Sequence, residues 1–366
     1  MRLIPIEYAK RNMVLGKTIY DTDGRVLLRS GVVLSNPTID KIKELNILTI
    51  YIVDKYSDET IEDIIKPEIR QKTVITIKEA FSNIGRLKSN SKSLDGGHTK
   101  QEEGYFNNIG DMVDSLVENI LDNRDVLLSL VDIRSINNYI YAHCVNVAVI
   151  SMVLGIALKL PKKKLVALCT GALIHDIGKS FVPNNILTKT TDLTLGEQVV
   201  LKQHPRVGYK YLSDVYNLSA TSKLIVLQHH ERVDGTGYPD GLEADKILDL
   251  SKIVAIADAY DIMSTGTYNK RAMFPSDVLE FLMSNAGKMF DYEMVNIFCR
   301  IVIPFAKGTI VNLSNGDIAI VEETVPNYPL RPIVRVIESP RVSRIGDVVN
   351  LIKELSIVIT SIRYEM

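Results

Sequence analysis

The stretch Leu173-Ile174-His175-Asp176-Ile177-Gly178-Lys179 sets an adjacent histidine and aspartate inside an apolar run. A carboxylate in such surroundings is costly unless a cation neutralises it. Working outward, His143 lies upstream, and His204, the pair His229-His230 and Asp258 lie downstream; of the six histidines only His98 stands apart. A lone histidine on an apolar helix is more often a packed core residue than a ligand. Five of them with two aspartates form a nitrogen and oxygen donor set without thiolate, which suits Fe, Mn, Zn or Ni. These seven donors exceed the needs of one ion. If Asp176 bridges two ions, each receives about four protein ligands of an octahedral six and keeps roughly two positions for hydroxide and a substrate oxygen. Phosphodiester hydrolysis is the reaction such a pair serves best, because it clamps a phosphate and generates a nucleophile at neutral pH.

Neighbouring residues extend the constellation. Lys179 is three residues after Asp176, so a continuing helix places both on one face, with the lysine either holding a phosphate oxygen or solvated at a helix end. Asp261 stands in the same relation to Asp258 and reads as an orienting group or a substrate contact. The loop from His229 through Asp234-Gly235-Thr236-Gly237-Tyr238-Pro239 keeps its backbone irregular, and Tyr238 is available to stack on a base.

The surrounding pattern is helical. Ile109, Met112, Val113, Leu116, Val117, Ile120 and Leu121 fall on one face of a helix, and helical segments are expected at 126–131, 140–160, 163–177, 224–230, 253–263 and 278–289, with another opened by the capping box Thr194-x-x-Glu197. This gives a mainly α chain: an all-α domain over 109–303, flanked by a small α+β module at 1–60 and a β-rich segment at 304–366. In the module, residues 18–20 and 26–28 form a hairpin around Asp21-Thr22-Asp23-Gly24, Asn36 caps a helix that begins at Pro37, and 48–53 is a strand. In the C-terminal segment, Asn315-Gly316 turns a hairpin between 309–313 and 318–321, with further strands at 333–337 and 356–359. Between module and domain, 61–108 reads as a helix followed by a mobile polar linker at 82–104.

Composition bounds the partners. At 46% hydrophobic residues the chain buries a core, and Lys+Arg of 43 against Asp+Glu of 44 leaves a net charge of −1, too little to hold a long nucleic acid. Cys144, Cys169 and Cys299 lack metal-ribbon spacing and point to a reducing compartment. No secretory h-region opens the sequence, and the longest apolar run, 147–158, falls short of the roughly 18–20 residues of a bilayer span, so a cytoplasmic protein without a membrane span is expected. The apolar face of the helix from Ile109 either packs within the chain or carries a homodimer.

Five motifs in order resemble the HD-GYP subfamily of HD-domain phosphohydrolases: His143-Cys144-Val145-Asn146, His175-Asp176-Ile177-Gly178-Lys179, His204-Pro205, His229-His230-Glu231-Arg232-Val233-Asp234-Gly235-Thr236-Gly237-Tyr238-Pro239, and Asp258-Ala259-Tyr260-Asp261. The resemblance covers about 110–303. It implies an all-α domain with two divalent ions, iron or manganese, that uses a bridging hydroxide to hydrolyse the bacterial second messenger cyclic di-GMP. One ion then takes His143, His175, Asp176 and Asp258 and the other Asp176, His204, His229 and His230, while Asp176 and Lys179 act in catalysis and Lys179 touches the scissile phosphate. Members with a third ion have a glutamate where this chain has Tyr139, so two ions and the linear product pGpG are expected. After Asp261 the family's phosphate-facing arginine is missing; Lys270 or Arg271 stands in for it. That departure keeps two alternatives open, a phosphohydrolase for another cyclic dinucleotide and a catalytically silent cyclic di-GMP sensor.

Overall fold

The computed structural model describes residues 1–20, 25–45, 47, 49–54, 64–89, 99–122, 139–215, 217–265, 273–325 and 327–365. The expected helix at 126–131, His98, the 21–24 turn, Lys270 and Arg271 lie outside them. The described residues form two compact units, one within 1–54 and 299–365, the other within 64–122 and 139–298.

In the first unit, β1 (Arg2–Pro5), β2 (Val14–Leu15) and the later β5 (Thr49–Val53) form an antiparallel sheet in the order β1-β5-β2. The hairpin strands β3 (Ile19–Tyr20) and β4 (Val26–Leu28) pair as expected. Helix α1 (Asn36–Glu44) closes the module by burying Ile39 and Ile42 against Ile4, Leu15, Ile50 and Ile52. Its cap is Ser35, whose hydroxyl accepts from Thr38 N at 3.3 Å; Asn36, expected as the cap, is already helical, and Pro37 follows in the first turn, where its missing N–H costs nothing.

The C-terminal strands β6 (Ile310–Leu313), β7 (Ile318–Glu323), β8 (Ile333–Glu338), β9 (Val348–Asn350) and β10 (Ile359–Ile362) make an antiparallel sheet in the order β10-β6-β7-β8-β9. Gly316, at φ 87°, turns the β6–β7 hairpin. The last strand lies three residues later than the expected 356–359, because Ile357 turns into the core and pairing resumes only at Ile359. Both sheets belong to the same unit: Tyr364 packs on the N-terminal core and meets the Tyr8 ring in a tilted contact at 5.3 Å, while Arg2 donates to its carbonyl oxygen.

The second unit is helical: α2 (Pro67–Ser89), α3 (Lys100–Asp122), α4 (Tyr139–Ala157), α5 (Lys162–Ile174), α6 (Asn184–Leu187), α7 (Leu195–Lys202), α8 (His204–Leu212), α9 (Ala220–Gln228), α10 (Asp249–Thr265) and α11 (Pro275–Ser284), with α12 (Tyr292–Ile301) at its end. Much of the expected mobile linker at 82–104 is helix, since α2 runs to Ser89 and α3 starts at Lys100. A reciprocal cap opens α3: Glu102 N donates to Thr99 Oγ1 at 3.2 Å and Thr99 N to Glu102 Oε2 at 2.8 Å. The other Glu102 oxygen accepts the Tyr211 hydroxyl at 3.0 Å, so this carboxylate is buried with its bonds made. The apolar stripe of α3, from Phe106 to Ile120, is buried within the chain, the packing alternative raised from sequence.

Helix α4 packs on α5 and α10, and α5 on α9. Among the described residues, Ile140–Ala157 within α4 is the one helix segment apolar and long enough to cross a membrane, with mean hydropathy 1.9; it is 61% buried in the protein. The apolar run read from sequence ends at residue 147 upstream, but the flanking Ile140, Cys144 and Val145 raise the average past it. This helix carries His143.

Candidate metal centre

Each donor stands at a helix end or on the face of a core helix. Helix α5 stops at Ile174, three residues short of the expectation, with His175 as its last cap, and a tight turn of 3₁₀ helix follows over Ile177–Phe181. In that geometry residues three apart eclipse. Lys179 therefore lies over Asp176, with Nζ 2.5 Å from Oδ2. His204 is the first residue of α8, His229 caps the end of α9 with His230 next, and His143 projects from α4 beside Asp258 of α10.

Two glycines let these ends meet. A Cβ on Gly178 would lie 1.9 Å from the His204 carbonyl oxygen, and one on Gly237 would lie 2.4 Å from Arg232 N. Gly178 thus sets how closely the Asp176 turn approaches α8. Gly178→Ala is expected to cost about 3 kcal/mol or more and to strip bound metal, because the two backbones must separate. Gly110→Ala, on an open face of α3 with nothing within 4 Å, is the control and is expected to be neutral or to stabilise by about 0.5–1 kcal/mol. Thermal unfolding and metal analysis of both variants check this.

The donors converge in two groups, Asp176 with His204, His229 and His230, and His143 with His175 and Asp258. Asp176 faces both: Oδ1 is 3.2 Å from His204 Nε2 and 3.9 Å from His229 Nε2, while Oδ2 is 3.4 Å from His175 Nε2 and 3.7 Å from His143 Nε2. Asp258 Oδ1 is 3.0 Å from His143 Nε2 and Oδ2 is 3.7 Å from His230 Nδ1. All seven expected ligands are thus gathered at one place.

The ring orientations fit a cation. The Nδ1 atoms of His175, His204 and His229 point at the carbonyl oxygens of Ala172, Leu201 and Val226 at 2.7, 2.7 and 2.9 Å. Nδ1–H donates there, so Nε2 turns its lone pair inward. His175 Nε2, Asp176 Oδ1 and Asp258 Oδ1 are buried with no well-aligned hydrogen bond among the described residues. Orphaned acceptors of this kind are what a bound cation satisfies. Cys144 adjoins His175 and Asp176, but burial pushes its thiol well up, followed by the charge of Asp176, so the donor set stays nitrogen and oxygen.

Charge in the pocket follows from burial and neighbours. Burial pushes His230 down to about 3, and it lowers His204 and His229 as well, so these imidazoles are neutral at pH 7. Burial also disfavours charge on Asp176, yet Lys179 and His175 outweigh it and hold this carboxyl well below its usual range. His143 differs: burial pushes it down, but Asp258 and Asp261 prevail and raise it to about 10. The metal-free centre therefore holds a proton on His143 at neutral pH. A divalent ion must expel that proton, so binding is expected to release about one proton per chain and apparent affinity to rise up to about tenfold per pH unit below pH 10. Calorimetry in buffers of different ionisation enthalpy, repeated at two pH values, measures both.

The expected substrate contacts fare differently. Both oxygens of Asp261 are taken, Oδ2 by His143 Nδ1 at 2.7 Å and Oδ1 by Asn146 Nδ2 at 3.0 Å, and the residue is 5% exposed. It orients a donor instead of facing substrate. Tyr238 stacks on the His230 ring at 4.7 Å and Lys202 Nζ lies 5.5 Å from its centroid, so one ring face is committed to the centre. Glu231, quoted within its motif but given no role from sequence, is buried and accepts from Asp240 N at 2.7 Å and Leu242 N at 2.9 Å, which pins the loop carrying Tyr238. Arg206 of α8 holds the same loop through Asp240 at 2.5 Å.

Fold and cluster together define a helical metalloprotein whose buried His and Asp donors form a divalent-metal site. Residues 115–294 match the HD domain model. A cyclic di-GMP phosphodiesterase of Pseudomonas aeruginosa is 33% identical over 63% of this chain and 56% of its own length. The cyclic di-GMP phosphodiesterase PdeB of Borreliella burgdorferi is 35% identical over 52% and 51%. A 3'3'-cGAMP-specific phosphodiesterase of Vibrio cholerae is 30% identical over 50% and 42%. The chain spans about half the length of these relatives.

Proposed function

We propose that this chain is a metal-dependent phosphodiesterase that opens cyclic di-GMP to linear pGpG, using two iron or manganese ions. The observation that carries this reading is Asp176, whose two oxygens face the two donor groups separately. In this assignment one ion takes His143, His175, Asp176 and Asp258, and the other takes Asp176, His204, His229 and His230. Two divalent ions at such a site supply Lewis acidity toward phosphate oxygens and lower the pKa of water toward neutrality.

The chain's own residues do the rest. The carbonyl-bound Nδ1 atoms keep the histidine rings in the ligand tautomer, and Asp261 does the same for His143. Lys179, with an 18% exposed side chain, reaches solvent from its place over Asp176 and is the group assigned to the non-bridging oxygens of the scissile phosphate. The Tyr238 loop, held by Glu231 and Arg206, walls the site beside His230.

Two of the relatives described above are named for cyclic di-GMP, which supports that substrate; the third is named for a mixed dinucleotide, which makes 3'3'-cGAMP the competing one. Protein loaded anaerobically with Fe(II) or Mn(II) is expected to convert cyclic di-GMP to pGpG and to prefer it in a mixed assay followed by nucleotide chromatography. Bound metal without pGpG formation overturns the proposal, and faster loss of 3'3'-cGAMP moves it to the second substrate.

A further inference from the structure

A line of hydrogen bonds leaves the centre and ends outside the segment that matches the HD domain. His143 Nδ1 meets Asp261 Oδ2 at 2.7 Å, Asn146 Nδ2 donates to Asp261 Oδ1 at 3.0 Å, and Arg70 Nη1 donates to Asn146 Oδ1 at 2.5 Å. Arg70 belongs to the first turns of α2, whereas the family match begins at residue 115. The polarity of the line is fixed by its ends: a guanidinium only donates and a carboxylate only accepts, so the Asn146 amide must present oxygen to Arg70 and nitrogen to Asp261. With one oxygen of Asp261 held in this way, the other is left aimed at His143.

The same helix meets the centre at a second point. A Cβ on Gly85 would lie 2.9 Å from the Ser180 carbonyl oxygen, so α2 runs close against the turn that carries Lys179. Ser82 and Phe81 of α2 also hold Tyr141 of α4, two residues before His143, the first through a 3.1 Å hydroxyl contact and the second by an edge-on ring contact at 6.1 Å. Helix α2 therefore touches both the helix that carries His143 and the turn that follows Asp176.

We infer that Arg70 and Asn146 are positioning residues of the metal centre: acting in series through Asp261, they set the orientation of His143, which makes α2 a working part of a site whose donors all lie in the HD domain. The inference rests on the reading of the cluster as a two-ion centre. Carboxylate-oriented histidine ligands lose roughly 10- to 100-fold in metal affinity when the orienting shell is removed. Because the groups act in series, the second removal should add little to the first.

The test is Mn(II) titration of the metal-free full chain, followed by calorimetry and electron paramagnetic resonance, for the wild type, Arg70→Ala, Asn146→Ala, the double variant and Arg70→Lys, with melting temperatures of the metal-free proteins. The expected result is two ions in the wild type. One of the two affinities should be weakened about 10-fold or more in each alanine variant. The other affinity should be unchanged, with no additive loss in the double variant and partial recovery in Arg70→Lys. Unchanged affinities in both single variants overturn the inference while leaving the two-ion reading intact. Equal weakening of both ions with a lowered melting temperature, or additive losses, also overturns it, since either marks general loosening. A wild type that binds no Mn(II) removes the two-ion reading and the inference with it.

Discussion

Under the proposed two-ion phosphodiesterase reading, Asp176→Ala is expected to remove both ions and to take turnover of cyclic di-GMP below detection, the largest effect among the substitutions considered. Asp258 also reaches across, to His230 Nδ1 at 3.7 Å, but Asp176 sits between two pairs of imidazoles, its oxygens facing His204 and His229 on one side and His143 and His175 on the other. Its loss also leaves the Lys179 ammonium without the carboxylate that neutralises it, beside a pocket of histidines. The rate loss should exceed the roughly 10²–10³ that removal of one transition-state donor costs, because ground-state assembly fails as well. His204→Ala is the informative contrast: it deletes a donor from one group only and should leave about one tightly held ion per chain. Metal analysis after dialysis against a weak chelator, with parallel turnover measurements, separates the two outcomes. An Asp176→Ala protein that keeps two ions would break the assignment of Asp176 as the shared ligand.

What could be read from the sequence was local. The Thr194–Glu197 cap and the Asn315–Gly316 turn depend on a few adjacent side chains, and both are present. The seven donors were legible because histidines and aspartates in apolar stretches have few inexpensive explanations, and the structure gathers all seven. Thr99-Lys100-Gln101-Glu102 carries the same signature as the 194–197 cap and opens α3, yet the polar composition around it reads as a linker. Here packing of Phe106 and Ile109 further along the helix outweighs local polarity. The break after Ile174 carries no Gly or Pro signal at residues 174–177; a close backbone approach of α8 at Gly178 accompanies it. Asp261 shows the limit most clearly. Its spacing from Asp258 puts both on one face of α10, but whether it meets substrate or His143 depends on where α4 crosses.

Lys179→Ala is expected to lower the turnover number by about 10²–10³ while leaving two ions bound, an effect second to that of Asp176→Ala. The ammonium is within 2.5 Å of Asp176 Oδ2 but donates nothing to the ions themselves, and its partly exposed side chain can reach a phosphate while staying near the carboxylate. A lysine at this place contributes charge in two states. Without substrate it offsets Asp176; with a phosphodiester present, its larger contribution comes as negative charge builds on the non-bridging oxygens, so the loss should fall on kcat more than on KM. Lys179→Arg tests charge against shape: the guanidinium keeps the charge but is planar and larger, and in the narrow turn fixed by Gly178 it should restore only part of the rate. Two further readouts separate this role from a structural one. Metal content should match the wild type, unlike Asp176→Ala, and affinity for an unhydrolysed phosphorothioate analogue should change less than turnover. A Lys179→Ala protein that loses metal in step with activity would instead make the lysine a structural counter-ion of Asp176.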